Sequence, residues 1–124
     1  MSIWTHYLKA FEYLPKYGVG DYYGKAARVG AGVQSFDLQR YMYDAQATVI
    51  HPGGSTVGAY GGFTQAGGHS LYTSYYGLGS DQVLSIEVIT ADGRLITADP
   101  DTNEDLFWAI RGGGGGRLSI HAFL

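Results

Sequence analysis

The sequence predicts an α+β fold, and three segments carry the prediction. The run Gln82 to Thr90 (QVLSIEVIT), the turn Ala91-Asp92-Gly93 and the return Arg94 to Thr97 read as a β-hairpin, because two strand-like runs flank an Asp-Gly pair. Phe36, Leu38, Tyr41, Met42 and Ala45 follow a helical apolar stripe after Ser35, which is a suitable N-cap for a helix running to about Asp44 or Ala45. A second helix is expected over Asn103 to Arg111, with Thr102 as N-cap, Glu104 and Asp105 against its positive end and Gly112 closing it.

The remaining elements follow in chain order. Ile3 to Leu8 and Phe11 to Leu14 are expected to form short strands or turns, since Pro15 and Gly18 to Gly20 interrupt any long helix. Ala26 to Val29 suits a strand and Thr48 to Ile50 a buried one, giving a strand-helix-strand unit around the Ser35 helix. Its turn, Gly30-Ala31-Gly32-Val33-Gln34-Ser35, nearly spells a dinucleotide fingerprint. Ser35 stands where the third glycine should be and no acid follows about 20 residues on, so tight-turn glycines are the better reading. In the second helix Leu106, Phe107 and Ile110 are expected to face the core, with Trp108 partly covering a neighbour. The five glycines Gly112 to Gly116 have the composition of a flexible linker, and the terminal RLSIHAFL is too short to build anything independent.

Composition excludes several function classes. With 124 residues there is room for one modest domain, and a formal net charge of −3 offers no basic footprint for nucleic acid or anionic lipid. The absence of cysteine removes disulfides, thiolate nucleophiles and Cys-based metal sites. Met1 to Lys16 lacks the pattern of a secretory leader and no run approaches a membrane span, so the chain reads as unexported and membrane-free, with its localisation open. His6, His51, His69 and His121 have no metal-ligand spacing, which predicts no metal site. His69 and Ser70 are adjacent and would point to opposite faces of a strand, so they are not a nucleophile and its base; no G-x-S-x-G elbow or P-loop occurs either.

Gly53 to Asp81 (GGSTVGAYGGFTQAGGHSLYTSYYGLGSD) holds the functional signal. Glycine admits positive φ and close backbone approach, and the freed main-chain N–H groups serve as donors in a concavity. A surface of backbone with one histidine and little side-chain chemistry suits a cofactor that brings its own reactivity, such as a flat ring system with a phosphate tail.

The ordered motifs TVG, GG, GGH, YGLGSDQV, TADGRL and DLFWAIRGGGGG resemble the second half of the FAD-binding domain of FAD-linked oxidases of the vanillyl-alcohol oxidase class, close to the berberine-bridge-enzyme-like branch. SIWTHYLKAFEYLP and ARVGAGVQ resemble segments just upstream in fungal members, so the likeness covers residues 1 to 116, a partial PCMH-type domain, and leaves 117 to 124 as a divergent tail. The resemblance implies a mainly antiparallel sheet with flanking helices, FAD as cofactor, a small-molecule substrate and O₂ as the usual acceptor. It carries cofactor contact to Thr56, Val57, Gly58, Gly61, Gly62, Gly67, Gly68, His69, Gly77, Leu78, Asp81 and Val88, the last through main-chain groups near the adenine.

Other readings of single residues stay open: Asp81 as a turn cap, Gly77 as a helix C-cap, His69 as a satisfied polar residue, and Tyr72, Tyr75 and Tyr76 as packing groups. Three departures from the resemblance matter. Gly54-Ser55 stands where many relatives carry a flavin-tethering cysteine, the upstream histidine-bearing phosphate loop is missing, and the tail diverges where a strand leading to the substrate domain is usual. The expectation is the flavin-cradling part of an oxidoreductase acting on an alcohol, sugar or amine, with catalytic residues unassigned. The alternatives are a noncatalytic remnant that binds no FAD alone and an aromatic-rich carbohydrate-binding module, prompted by the eleven tyrosines.

Overall fold

The computed structural model describes residues 3 to 115, and residues 120 to 123 by their backbone alone. It opens with an antiparallel hairpin of β1 (Phe11–Val19) and β2 (Tyr22–Val29), longer than the two short stretches expected there. Gly20-Asp21 makes the turn, with Gly20 at φ 51° and its N–H donating to Asp101 Oδ2 at 2.8 Å. Pro15 does not end β1: the register shifts between Leu14 and Tyr17, so the missing N–H falls in a bulge where the ladder asks nothing of it.

The near-dinucleotide turn is filled by the chain itself. Gly30 N–H donates to Ala10 O at 2.8 Å and Gly32 N–H to Leu8 O at 2.9 Å. A Cβ on Gly32 would lie 2.1 Å from Thr5 O, so glycine is required there by the overlying segment rather than by a pyrophosphate.

Helix α1 spans Ser35–Asp44. Its N-cap is Gln34 rather than Ser35, and Gln34 N–H donates to Asp37 Oδ2 at 3.2 Å. Lys9 pairs with Asp37 and, by its hydrogen bond, holds that carboxyl below its ordinary range. Leu38 and Met42 bury into a core with Val29, Val33 and Ala59, and the rings of Phe11 and Tyr41 stack at 4.8 Å. Phe36, placed on the apolar stripe by spacing alone, is 55 % exposed. Thr48 to Ile50 is not a strand. Ile50 is buried as expected, but the segment is an irregular connector fixed by Tyr60, whose hydroxyl donates to Ile50 O at 3.1 Å and whose pKa burial pushes above the ordinary phenol range.

Two one-turn helices, α2 (Gly62–Gln65) and α3 (Thr73–Tyr76), and a 3₁₀ turn over Gly79–Gln82 carry the glycine-rich segment. The expected second hairpin forms from β3 (Ile86–Ile89) and β4 (Leu95–Ala98), in register Ile86 to Ala98 through Ile89 to Leu95. It starts later than Gln82 because that residue closes the 3₁₀ turn. Helix α4 (Glu104–Ile110) is capped by Asn103 at φ 51° rather than by Thr102, and Asn103 Nδ2 donates to Thr97 O at 2.6 Å, which ties the helix start to β4. Phe107 and Ile110 seal a second core with Val83, Ile86, Val88 and Ala98, while Leu106 packs at its margin. Trp108 is 76 % exposed and covers less than expected. Strand β5 (Ile120–Phe123) pairs antiparallel with β3, giving the order β4-β3-β5, so part of the terminal octapeptide joins the sheet. Gly116 and Arg117 to Ser119 lie outside the described residues.

Candidate functional site

The glycine-rich segment is anchored at its start by α1. Ser35 is fully buried, and its Oγ donates to Pro52 O at 2.6 Å while lying 2.9 Å from His51 Nδ1. Pro52 O also lies 2.8 Å from that nitrogen, and a carbonyl only accepts, so Nδ1 carries the proton. Ser35 N–H donates to Val57 O and Phe36 N–H to Ser55 O, both at 2.9 Å; Gln34 Nε2 donates to Thr56 O at 2.7 Å. Ala59 N–H returns to Val33 O at 2.9 Å, closing an isolated antiparallel bridge between Gln34 and Gly58. Thr56 and Val57 therefore sit at the surface with both of their carbonyls held.

Beyond this clamp the chain presents bare backbone. No described atom lies within 4 Å of where a Cβ would stand on Gly58 or Gly62, and at Gly61 the nearest is Ala31 O at 3.8 Å. The N–H groups of Gly58, Tyr60, Gly61 and Gly62 have no acceptor among the described residues. The next glycines serve differently. Gly67 and Gly68 are buried at φ 107° and 79°, and their carbonyls accept from Ser80 N–H at 2.9 Å and Gly79 N–H at 2.8 Å. A Cβ on Gly68 would lie 2.9 Å from the Phe63 ring and 3.2 Å from Gly79 Cα. One glycine group thus leaves a surface open, and the other locks two loops together behind it.

His69 is exposed and hydrogen-bonds to no described residue. Gly77 ends α3 at φ 81°, and a Cβ there would strike Asp81 Oδ2 at 2.7 Å. Asp81 Oδ2 accepts from Leu78 N–H at 2.8 Å, so the C-cap and turn-cap readings of Gly77 and Asp81 are both realised. Tyr72, Tyr75 and Tyr76 do not pack as expected; all three are exposed. Val88 is apart from the rest, its side chain in the second core and its backbone between β4 and β5. A cavity of about 590 Å³ between the two hairpins is lined by Lys25, Arg28, Tyr60 and Glu87, and of the predicted residues only Asp81 reaches it. No group of His, Asp and Glu among the described residues could hold a metal ion, and no described helix is long and apolar enough to cross a membrane.

Gln34, Ser35, His51 and Gln65 are the supporting residues that sequence reasoning missed. Gln65 is buried, and its main-chain O accepts from Gly114 N–H at 2.9 Å, which docks the second glycine run on α2. Those partners are tens of residues apart, so no local pattern marks them.

A backbone surface with bare α-carbons and unspent N–H donors fits a cofactor held by close approach, and the comparisons agree. Residues 18–99, about two thirds of the chain, match the FAD binding domain, and the chain belongs to that family, whose cofactor is FAD. It is 42 % identical over 120 residues to the VAO-type flavoprotein oxidase VAO615 of Thermothelomyces thermophilus and 45 % identical over 120 residues to the FAD-linked oxidoreductase patO of Penicillium expansum. Each alignment covers 97 % of this chain and 21 % of the relative, so the chain spans about a fifth of their length. Among solved structures it superposes on the VAO-type flavoprotein MtVAO615 of Myceliophthora thermophila with a TM-score of 0.93 at 42 % identity, covering 97 % of this chain and 22 % of that one. The BBE-like 1 protein of Physcomitrella patens gives 0.81 at 28 % identity, covering 94 % and 24 %. The α+β class and the resemblance to the vanillyl-alcohol oxidase class are both borne out.

Proposed function

We propose that this chain supplies one wall of the FAD site of an oxidoreductase that oxidises an alcohol, sugar or amine by hydride transfer to the flavin, with O₂ as electron acceptor. The observation that carries the proposal is the open glycine face of Gly58, Gly61 and Gly62, backed by the rigid Gly67-Gly68 to Gly79-Ser80 lock. Bound FAD would supply the redox chemistry. The chain's own groups bind, orient and exclude water, with unpaired main-chain N–H groups donating to the cofactor's oxygens and nitrogens.

In this reading Thr56, Val57, Gly58, Gly61 and Gly62 meet the cofactor directly, with His69 and Leu78 at the rim. Gly67, Gly68, Gly77 and Asp81 hold that wall in shape, and Val88 contributes only through the strand it anchors. Two similar solved structures support the substrate range: one is a glucooligosaccharide oxidase of Acremonium strictum and the other a 6-hydroxy-D-nicotine oxidase of Arthrobacter nicotinovorans. A residue that takes a proton from substrate is not assigned to this chain.

A second reading is that these 124 residues fold without binding FAD by themselves, since they match about a fifth of the relatives' length. Titration of the purified 124-residue chain with FAD, followed by dialysis, separates the two. Retained flavin absorbance at one equivalent supports the cradle. Loss of all flavin at tens of micromolar protein supports the second reading.

A further inference from the structure

The exposed stretch between the His51 anchor and the open glycines has a polarity of its own. From Gly54 to Val57 every carbonyl is engaged. Gly54 O accepts from Val57 N–H at 3.1 Å, Ser55 O from Phe36 N–H and Val57 O from Ser35 N–H at 2.9 Å each, and Thr56 O from Gln34 Nε2 at 2.7 Å. The N–H groups of Ser55, Thr56 and Gly58, by contrast, have no acceptor among the described residues. Over these residues the main chain has donors to spare and no free acceptor up to Val57.

The asymmetry comes from the start of α1. The first N–H groups of a helix have no partner inside it, and Ser35 and Phe36 spend theirs on the carbonyls either side of Thr56. No main-chain donor among the described residues reaches Thr56 O itself. Gln34, the N-cap of α1, covers it with its side-chain amide from 22 residues away. Its own N–H donates to Asp37 Oδ2 at 3.2 Å, which fixes where that half-buried side chain begins. Without the Gln34 amide, Thr56 O would be a bare acceptor in a stretch otherwise made of donors. The isoalloxazine of a flavin presents acceptor oxygens and nitrogens, so a bare carbonyl against it sets like partial charges together where water is excluded.

We propose that Gln34 is a positioning residue for cofactor binding: by taking up Thr56 O it leaves the cofactor-facing main chain of Ser55 to Gly58 with N–H donors and no free carbonyl up to Val57. The proposal rests on the flavin reading above and names the side chain that gives that part of the wall its polarity. Gln34 acts through Thr56 and needs no contact with the cofactor.

The test uses two uncharged substitutions, so that the phosphates of FAD feel no new charge. Gln34→Met keeps the length and removes the donor. Gln34→Asn keeps an amide and is among the best N-caps, but it is one methylene too short to reach Thr56 O. FAD affinity is read by flavin fluorescence titration, folding by the melting midpoint, and the bond itself by the Thr56 carbonyl ¹³C resonance of the ligand-free chain. Both variants should bind FAD at least about fivefold more weakly than wild type. Their midpoints should stay within about 3 °C of it, because the bond is exposed and water replaces it in the free chain. The Thr56 resonance should move upfield in both. FAD affinity within about twofold of wild type in both variants, or retained in Gln34→Asn alone, would overturn the assignment and leave the flavin reading standing. A loss of affinity matched by a midpoint lowered beyond that range, or an unmoved Thr56 resonance, would overturn it too. If wild type binds no FAD, the flavin reading fails and the assignment falls with it.

Discussion

Substituting Gly62 by alanine should improve the fold and impair the site, a combination that distinguishes a ligand-facing glycine from a structural one. Gly62 is the first residue of α2, it does not have a positive φ, and no described atom lies within 4 Å of the added methyl. The substitution therefore costs no strain, and restriction of the unfolded chain should stabilise the protein by about 0.4 to 1 kcal/mol. At about 4 °C per kcal/mol for a domain of this size, the melting midpoint should rise by about 2 to 4 °C. In the FAD complex the same methyl stands where the cofactor approaches the backbone. Overpacking of a fitted contact costs about 1 to 3 kcal/mol, so FAD affinity should fall by about five- to 150-fold. Differential scanning fluorimetry and a flavin fluorescence titration measure the two effects on one preparation. Unchanged FAD affinity in a stabilised Gly62→Ala protein would refute the assignment of this face to the cofactor, and a lowered midpoint would refute the statement that the space is open.

Other substitutions probe the frame behind that face. Gly68→Ala should lower stability by about 2 to 4 kcal/mol, since it adds left-handed strain to a collision with Phe63 and Gly79; chemical denaturation checks this, and a loss below about 1 kcal/mol would mean that the lock is soft. Ser35→Ala removes a buried hydroxyl shared by Pro52 O and His51 Nδ1 and should cost about 1 to 3 kcal/mol, with exchange broadening in NMR confined to His51 through Ala59. Asp37 gives the pH dependence. Its folded carboxyl titrates below its ordinary value because Lys9 bonds it, so its contribution is fully present above about pH 4, near the unfolded value, and is lost as pH falls through the folded pKa. Lys9→Met should flatten the acid limb of stability against pH, and an unchanged limb would show that the pair contributes nothing.

The legible parts of this fold are those set by local pattern. The Asp92-Gly93 turn fixed the second hairpin, and the spacing of Leu38 and Met42 fixed α1, because both signals lie within one element. Pro15 and Gly18 misled, since a proline in a bulge does not interrupt a hairpin and only the paired strand reveals the bulge. Thr48 to Ile50 has strand composition but lacks a described partner strand, and pairing is a tertiary property. In the site, density of glycine was visible while its division of labour was not. Gly62 and Gly68 look alike in sequence; one faces open space and the other meets Phe63. The clamp of Gln34 and Ser35 on residues 51 to 57 and the docking of Gly114 on Gln65 depend on contacts between distant segments, which no motif encodes.

The central claim, that Gly58 to Gly68 forms a wall for FAD, is tested most directly by hydrogen exchange with mass spectrometry on the chain with and without FAD. On FAD addition, exchange should slow for the amides of Gly58, Tyr60, Gly61 and Gly62, which have no acceptor among the described residues, and should not change for Gly79 and Ser80, whose amides are already bonded. Bound flavin with unaltered exchange across residues 58 to 62 would contradict it.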